Sequence, residues 1–263
     1  MKVLVTVKEV ATVEDAFEIE GDRIPERYLE YDLNEWDDYA VEEAVQLAEE
    51  RDDVDEVVAA TIGPERAEET IRIALAKGVD RAIRIWDDSL EEAELLDVST
   101  KAALLGRVVE AEDPDIVFTG VQADDDAFGA TGVALAAEVG YQWAAVVNGF
   151  ALDDAAAEAT VHRELEGGLE EITEVDLPAV FTIQTGINEP RYASLRGIRQ
   201  AQQKEIAPQS PADLGIDEIE HHLDITSMAE PETESDVTIL QGSADETASA
   251  LVDVFDDIGV IGG

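Results

Sequence analysis

Short apolar runs alternate with amphipathic stretches along the first 140 residues. The runs have the length and the branched side chains typical of buried strands, and they lie at 3–7, 57–62, 81–86 and 116–119. Apolar residues at helical spacing separate them, as at Trp36, Ala40, Ala44, Leu47 and Ala48. This alternation predicts an α/β fold with a parallel sheet covered on both faces. Ligands of such sheets bind at the carboxyl ends of strands, so we expect a site in the loops after Val7, Ile62 and Thr119.

From about Trp143 the pattern changes. Four β-rich runs with tight glycine turns follow, at 143–152, 160–165, 168–175 and 179–184. A loop at 188–195 and a short helix to about Lys204 come next. The segment 208–236 contains three prolines and little periodicity, which predicts an extended arm, and apolar residues at helical spacing near Leu251 predict a last helix. We therefore expect an α/β domain over 1–205, with a β-rich addition, and a C-terminal arm over 206–263.

The formal net charge of −46 bears on the salt concentration in which this chain folds. The chain has 63 acidic and 17 basic residues, and the acidic ones are spread along its whole length. Molar salt shortens the Debye length to about 3 Å and so screens their mutual repulsion. This spread favours a halophilic cytoplasm loaded with salt over the alternative, an acidic interaction tail. Nucleic acid is not an expected partner, since its phosphates require a basic surface.

Several kinds of chemistry have no residues to support them. The chain has no cysteine, which excludes disulfides and thiolate sites. Its histidines, His162, His221 and His222, lack a third ligand at metal-site spacing, so we expect no metal. No nucleophile–base pair is visible, and we expect no catalytic residue. No apolar stretch approaches the ~20 residues of a membrane span, and the N-terminal run reads as a strand without a signal peptide, so the expected location is the cytoplasm.

The loop at 120–132 has two interpretations. It follows a strand, opens a helix, and contains glycines that let backbone N–H groups approach an anion, with the Thr131 hydroxyl as a further donor. Its three aspartates do not suit phosphate but can cap the helix. The other interpretation is an ordinary strand-to-helix turn, because the spacing matches neither the dinucleotide fingerprint nor a Walker loop. Neighbouring strand ends near Thr6 and Ile62 would then hold a nucleoside. Asn34 either caps its helix or contacts the ligand, and the cap is the commoner role.

The loop at 188–195 is also open to two interpretations. Tyr192 and Leu195 either anchor in a pocket of a partner or pack against their own domain. The chain alone favours packing, because apolar loop residues are common.

Several segments recur, in the same order, in a known family. The chain resembles the beta-type subunits of electron-transfer flavoproteins at Val3-Leu4-Val5-Thr6-Val7-Lys8, Asn34 with the following Tyr39-Ala40-Val41-Glu42-Glu43-Ala44, Gly63-Pro64 with the helix behind it, the loop from Gly120, the stretch 163–170, Leu177-Pro178-Ala179-Val180 and Asn188-Glu189-Pro190-Arg191-Tyr192. The resemblance covers most of residues 1–205, and the last of these segments is the most specific.

The resemblance implies a Rossmann-like fold of the adenine nucleotide alpha-hydrolase kind and a heterodimer with an alpha subunit. It implies one FAD at the interface, held mostly by the alpha subunit, and one AMP in this chain. Electrons would pass from flavin dehydrogenases of fatty acid oxidation, such as an acyl-CoA dehydrogenase, to a membrane quinone oxidoreductase. The dehydrogenase contacts carried over are Tyr192, Leu195 and Ile198, and the arm would wrap the alpha subunit. The AMP contacts carried over are Thr6, Asn34, Ile62, Gln122, Ala123, Asp125, Phe128, Gly129, Ala130, Thr131 and Gly132.

The chain departs from the family pattern at three places. Ala130 stands where the family usually has glutamine, the usual Lys-x-Val-Pro-Asp is here Lys8-Glu9-Val10-Ala11-Thr12, and the lysines that follow the 188–195 loop are mostly replaced. Three alternatives stay open. A bifurcating relative would hold a second FAD in place of AMP. A universal-stress-type nucleotide-binding protein has no redox role, but such chains are shorter. A small ATP pyrophosphatase would need more basic residues near its triphosphate.

Overall fold

A computed structural model of the chain describes residues 1–91, 93, 95–153, 155, 157–219, 222–231 and 237–260. His221, one of the three histidines considered as metal ligands, and residues 232–236 of the predicted arm lie outside the described residues. Two compact units divide the chain, one over Met1–Met228 and one over Ala229–Gly263.

The first unit is built on a sheet of nine strands. Its strands and helices in chain order are β1 Lys2–Thr6, β2 Glu9–Val13, β3 Leu29–Leu33, α1 Glu35–Glu50, β4 Glu56–Ile62, α2 Glu68–Lys77, β5 Arg81–Ile85, α3 Asp88–Glu91, α4 Val98–Glu112, β6 Ile116–Gly120, α5 Thr131–Val139, β7 Gln142–Leu152, β8 Glu158–Leu165, β9 Leu169–Asp176, β10 Ala179–Ile183, α6 Leu195–Ala201 and β11 Ile206–Gln209. The strand order is β11-β5-β4-β1-β6-β10-β7-β8-β9, and β2 pairs with β3 in a separate antiparallel hairpin.

The sheet is parallel from β11 to β7 and antiparallel at β8 and β9. The predicted parallel α/β core and its β-rich addition are therefore confirmed. Side-chain alternation along β1 explains the two layers of the core. Val3 and Val5 pack with α1 and α2 on one face, whereas Leu4 packs with α4 and α5 on the other.

The sheet continues beyond residue 205, where the predicted domain ends. Strand β11 pairs in parallel with β5, and Ile206 aligns with Ala82. Leu214, Ile216 and Ile219 then pack against the core on the α4 side. The start of the predicted arm is thus part of the first unit, because its apolar residues bury against the sheet's helical layer.

Among the described residues of the second unit there is one helix, α7, at Ala244–Asp257. Its capping box is complete: the Glu246 N–H donates to the Ser243 hydroxyl at 3.4 Å, and the Ser243 N–H donates to the Glu246 carboxylate at 2.8 Å. This agrees with the helix predicted from the apolar spacing near Leu251. Within the described residues, no helix combines the length and the apolar character needed to cross a membrane.

Candidate functional site

A cavity of about 270 Å³ lies where β1, β4 and β6 end. Thr6, Ile62 and Gly120 are the last residues of these strands and all three line it. The loop that follows β6 forms one side. Of the AMP contacts that the family resemblance implied, all but Phe128 and Gly132 line the cavity. This cavity therefore lies at the carboxyl ends of the parallel strands, where the sequence predicted a ligand site.

One wall of the cavity is apolar, and of its large side chains only Ile62 was predicted to belong to the site. Its large side chains come from the end of β4, the residue after β5, α3, and the region at and before α4, and they are Ile62, Trp86, Leu90, Leu96 and Leu105. No motif marks these residues, because each belongs to an ordinary helical or strand pattern. Such a wall suits a flat apolar group such as a purine ring.

The N-terminus of α5 has no side-chain cap. Ala130 occupies the N-cap position and makes no side-chain hydrogen bond to the first turn. Ala130 and Thr131 both line the cavity, so the helix presents its positive end and its free N–H groups there. The expectation that an aspartate of the loop caps this helix is wrong.

The aspartates of the loop instead bind two lysines from elsewhere in the chain. Lys8, just after β1, binds Asp125 and lies 2.9 Å from Asp126. Lys101, on α4, binds Asp126, and its ammonium lies 4.9 Å from the centre of the Phe128 ring. Both lysines line the cavity. The loop is thus held over the strand ends by ion pairs, and Phe128 contributes to this attachment without lining the cavity.

Asp126 shares its charge with two lysines, Lys8 and Lys101. Burial by itself raises the Asp126 pKa, but the hydrogen bonds from Lys101 and Lys8 outweigh it and hold the pKa below its usual range. Burial lowers the pKa of Lys101, against the hydrogen bond to Asp126. The two lysine charges are therefore largely balanced by the loop before any ligand is considered.

Asp37, in the first turn of α1, is a buried acid that the sequence analysis missed. Its carboxylate accepts hydrogen bonds from the backbone N–H groups of Lys8 at 2.8 Å and Gly120 at 2.9 Å. Burial raises its pKa to about 7, against these hydrogen bonds. Asp37 therefore connects the chain just after β1 to the end of β6, and it lines the cavity. Its position two residues after the helix start gave no signal, because acids in first turns are common.

Asn34 is at the N-cap position of α1, but its side chain does not cap the helix. The Nδ2 group donates to the Gln122 carbonyl at 2.8 Å, and the Oδ1 atom accepts from the Asp124 N–H at 3.3 Å. The favoured capping role is therefore wrong. Asn34 connects α1 to the loop after β6, and it also lines the cavity.

Gly132 packs the helix against the sheet. A Cβ atom at this position would overlap Thr119 Oγ1 on β6 and lie 2.7 Å from Thr182 Cγ2 on β10. Its lack of a side chain lets α5 approach two strands closely. Gly132 thus sets the position of the helix N-terminus without lining the cavity.

Two large apolar side chains of the segment 188–195 are exposed, and so is Ile198 on α6. Tyr192 is 99% exposed, Leu195 77% and Ile198 45%. The interpretation favoured by the chain alone, that Tyr192 and Leu195 pack against their own domain, is wrong. Asn188 and Arg191 of the same segment bind α1 instead. As for metals, no cluster of three potential ligand side chains occurs in the part of the chain that the structure describes.

The chain order of the parallel strands reverses between β1 and β6, and the cavity lies at that point, beside the uncapped N-terminus of α5. This arrangement is that of a Rossmann-like α/β protein. The family model described as "Electron transfer flavoprotein domain" matches residues 23–214. The chain belongs to the electron transfer flavoprotein family, and it is of the beta-subunit type.

Relatives support this over the whole length of the chain. It is 40% identical to the electron transfer flavoprotein subunit beta of Methylophilus methylotrophus, with 98% of both chains covered. It is 36% identical to the mitochondrial subunit beta of Oryza sativa subsp. japonica, covering 95% of this chain and 97% of that one. It is 35% identical to the subunit beta of Homo sapiens, with 99% of both covered. Neither the bifurcating nor the universal-stress alternative is favoured by these findings.

Proposed function

We propose that this chain pairs with an alpha subunit, helps to hold one FAD at their interface, and binds AMP in its own cavity. The observation that carries the proposal is the similarity to beta subunits over nearly the full length of the chain. The chain acts as an electron carrier subunit, and it supplies no catalytic residue. FAD, when bound, supplies the redox chemistry, and the chain contributes to its position and surroundings.

The residues of the cavity fit a nucleotide with one phosphate. The apolar wall with Trp86 and Leu105 suits the purine, and the uncapped start of α5 with the Thr131 hydroxyl suits an anion. The lysines beside it are already paired with Asp125 and Asp126, so they leave little positive charge for further phosphates. Ala130 offers no side-chain donor where the family usually has glutamine. Backbone N–H groups and Thr131 therefore carry the proposed phosphate contact.

The proposed partners follow from the same similarity to beta subunits. Flavin dehydrogenases, such as an acyl-CoA dehydrogenase, would deliver electrons, and a membrane quinone oxidoreductase would accept them. The exposed Tyr192, Leu195 and Ile198 form the proposed contact with the dehydrogenase. The net charge of −46, spread over the chain, supports a location in a salt-loaded cytoplasm.

The test is to co-express the chain with its alpha subunit, purify the complex in molar salt, record the visible spectrum and extract the nucleotides. One FAD and one AMP per heterodimer are the expected result. Two FAD and no AMP would instead mean a bifurcating complex. A colourless monomer that carries ATP would contradict the electron-transfer function.

A pair of variants tests the AMP site itself. Thr131→Val removes the hydroxyl at the start of α5, and we expect less AMP per FAD after gel filtration. Thr160→Val, on an exposed position of β8, is the matched control and should keep the AMP of the parent. Equal AMP content in both variants would contradict the proposed phosphate contact.

A further inference from the structure

Arg191 connects the exposed segment 188–195 to α1 through two carboxylates. Its Nε and Nη2 groups donate to the two oxygens of Glu42 at 2.9 and 3.0 Å. Its Nη1 and Nη2 groups donate to Glu49 at 2.6 and 2.8 Å. The backbone N–H of Arg191 also donates to Glu42, at 3.0 Å. One guanidinium thus makes two bidentate contacts on one helix, a geometry that fixes both its position and its orientation.

The Glu42 end of this contact is buried. The Glu42 side chain is 3% exposed, compared with 30% for Arg191, and Gln46 Nε2 donates to it at 2.7 Å. Burial by itself raises the Glu42 pKa, but the hydrogen bonds from Arg191 outweigh it and hold the pKa below its usual range. Glu42 therefore stays ionised inside the protein, where a buried charge without its partner is strongly unfavourable.

Two further contacts hold the same segment. Asn188 Nδ2 donates to the Tyr39 carbonyl at 3.1 Å and to Glu43 at 3.0 Å. On the other side, the Ser194 hydroxyl caps α6 by accepting from the Gly197 N–H at 3.0 Å. The backbone of Tyr192 and Leu195 is thus held at both ends, although the two side chains are 99% and 77% exposed.

We propose that Arg191 is a positioning residue for partner docking: its contacts with Glu42 and Glu49 hold Tyr192 and Leu195 in the conformation that the partner recognises. This rests on the proposed function, in which these residues contact a flavin dehydrogenase. An exposed loop that is ordered before binding loses less conformational entropy on docking, and so binds more tightly with the same contacts. Lysine cannot replace Arg191, since one ammonium cannot make two bidentate contacts.

The test measures electron transfer from an acyl-CoA dehydrogenase of the same cell to the FAD-loaded heterodimer, in molar salt, with the heterodimer as the varied substrate. We expect Leu195→Ala to raise the KM for the heterodimer about tenfold, as truncation of an anchor residue does. Arg191→Gln should raise it about five- to tenfold, and Arg191→Lys nearly as much, with kcat unchanged. Arg107→Gln, which removes an exposed ion pair with Glu110 on α4, is the control and should leave KM unchanged.

The double variant Arg191→Gln/Leu195→Ala decides how Arg191 acts. If Arg191 works by placing Tyr192 and Leu195, the KM of the double variant rises by less than the product of the two single effects, because part of what Arg191 places is already removed. Multiplied effects would mean that Arg191 contacts the partner independently, which would overturn the proposal. Dithionite reduction and FAD content should match the parent in every variant. Hydrogen exchange of the backbone over 189–197 should rise in Arg191→Gln and stay at the parent level in Leu195→Ala.

The outcomes separate this proposal from the function on which it rests. Leu195→Ala with a raised KM and Arg191→Gln with the parental KM would overturn only the positioning role. Parental KM values for both variants would contradict the docking of a dehydrogenase on this surface.

Discussion

Replacement of Gly132 by alanine tests how the structure sets the position of the α5 N-terminus. The added Cβ would overlap Thr119 Oγ1 and lie 2.7 Å from Thr182 Cγ2, well inside van der Waals contact. Alanine would favour the helix by at most about 1 kcal/mol. Overpacking of one methyl group in a well-packed interior costs about 1–3 kcal/mol, so the clash should dominate. We expect Gly132→Ala to lower the free energy of unfolding by about 1–2 kcal/mol.

The assay is urea unfolding of the heterodimer at fixed molar salt, together with AMP content. In a thermal unfolding scan the same loss should lower Tm by about 2–4 °C for each kcal/mol. AMP content should also fall, because the displaced helix carries the proposed phosphate contact. Gly140→Ala, at the other end of α5, is a comparison: its Cβ meets nothing within 4 Å, and its cost comes from a φ of +70°.

Relief of the clash gives the sharper test. Thr119→Ala removes the overlapping hydroxyl, and Thr182→Ser removes the methyl group but keeps the oxygen that accepts from the Val146 N–H at 2.9 Å. In this double background Gly132→Ala should cost less than about 0.5 kcal/mol, whereas the cost of Gly140→Ala should not change. A Gly132→Ala variant as stable as the parent, or one that this background does not rescue, would refute the reasoning.

Three further predictions concern charge. The pKa of Asp37 is raised from 3.8 to about 7, so its contribution to stability is present below about pH 4 and is lost as pH rises through 7. The stability of the parent relative to Asp37→Asn should therefore fall between pH 4 and 8, by up to about 4 kcal/mol in urea unfolding, while the exposed Asp52→Asn control should parallel the parent. A constant difference would contradict the burial of this charge. Lys101→Met should weaken AMP binding about five- to tenfold in equilibrium dialysis, because it leaves Asp126 less neutralised beside the phosphate. Lys2→Met, whose ion pairs lie at the opposite ends of the strands, should not change AMP binding. Dilution from molar to ~0.1 M salt lengthens the Debye length from about 3 to 10 Å, so the repulsion among the acidic residues is less screened. The midpoint temperature of thermal unfolding should therefore fall. A midpoint independent of salt would contradict the halophilic interpretation.

The strands of the parallel sheet could be predicted because their side chains are buried on both faces. The runs at 57–62 and 116–119 are apolar except for Thr61 and Thr119, and the structure has β4 and β6 there. The strand β11 at Ile206–Gln209 could not be predicted in the same way, since it contains a proline and lies at the sheet edge, where the apolar pattern is weaker.

The sequence by itself determined the alternation of strands and helices in the parallel core, the loops that line the cavity, and, through its resemblance, the family. Tertiary structure alone decided which charges meet. Lys8 and Lys101 are far apart in the chain, yet both bind Asp126, and Asn34 reaches the loop after β6 instead of its own helix. The pattern of a strand or a helix depends on the spacing of apolar residues along the sequence, so it can be seen in the sequence alone. Pairing across the sheet depends on the close approach of segments that only the packed core brings together.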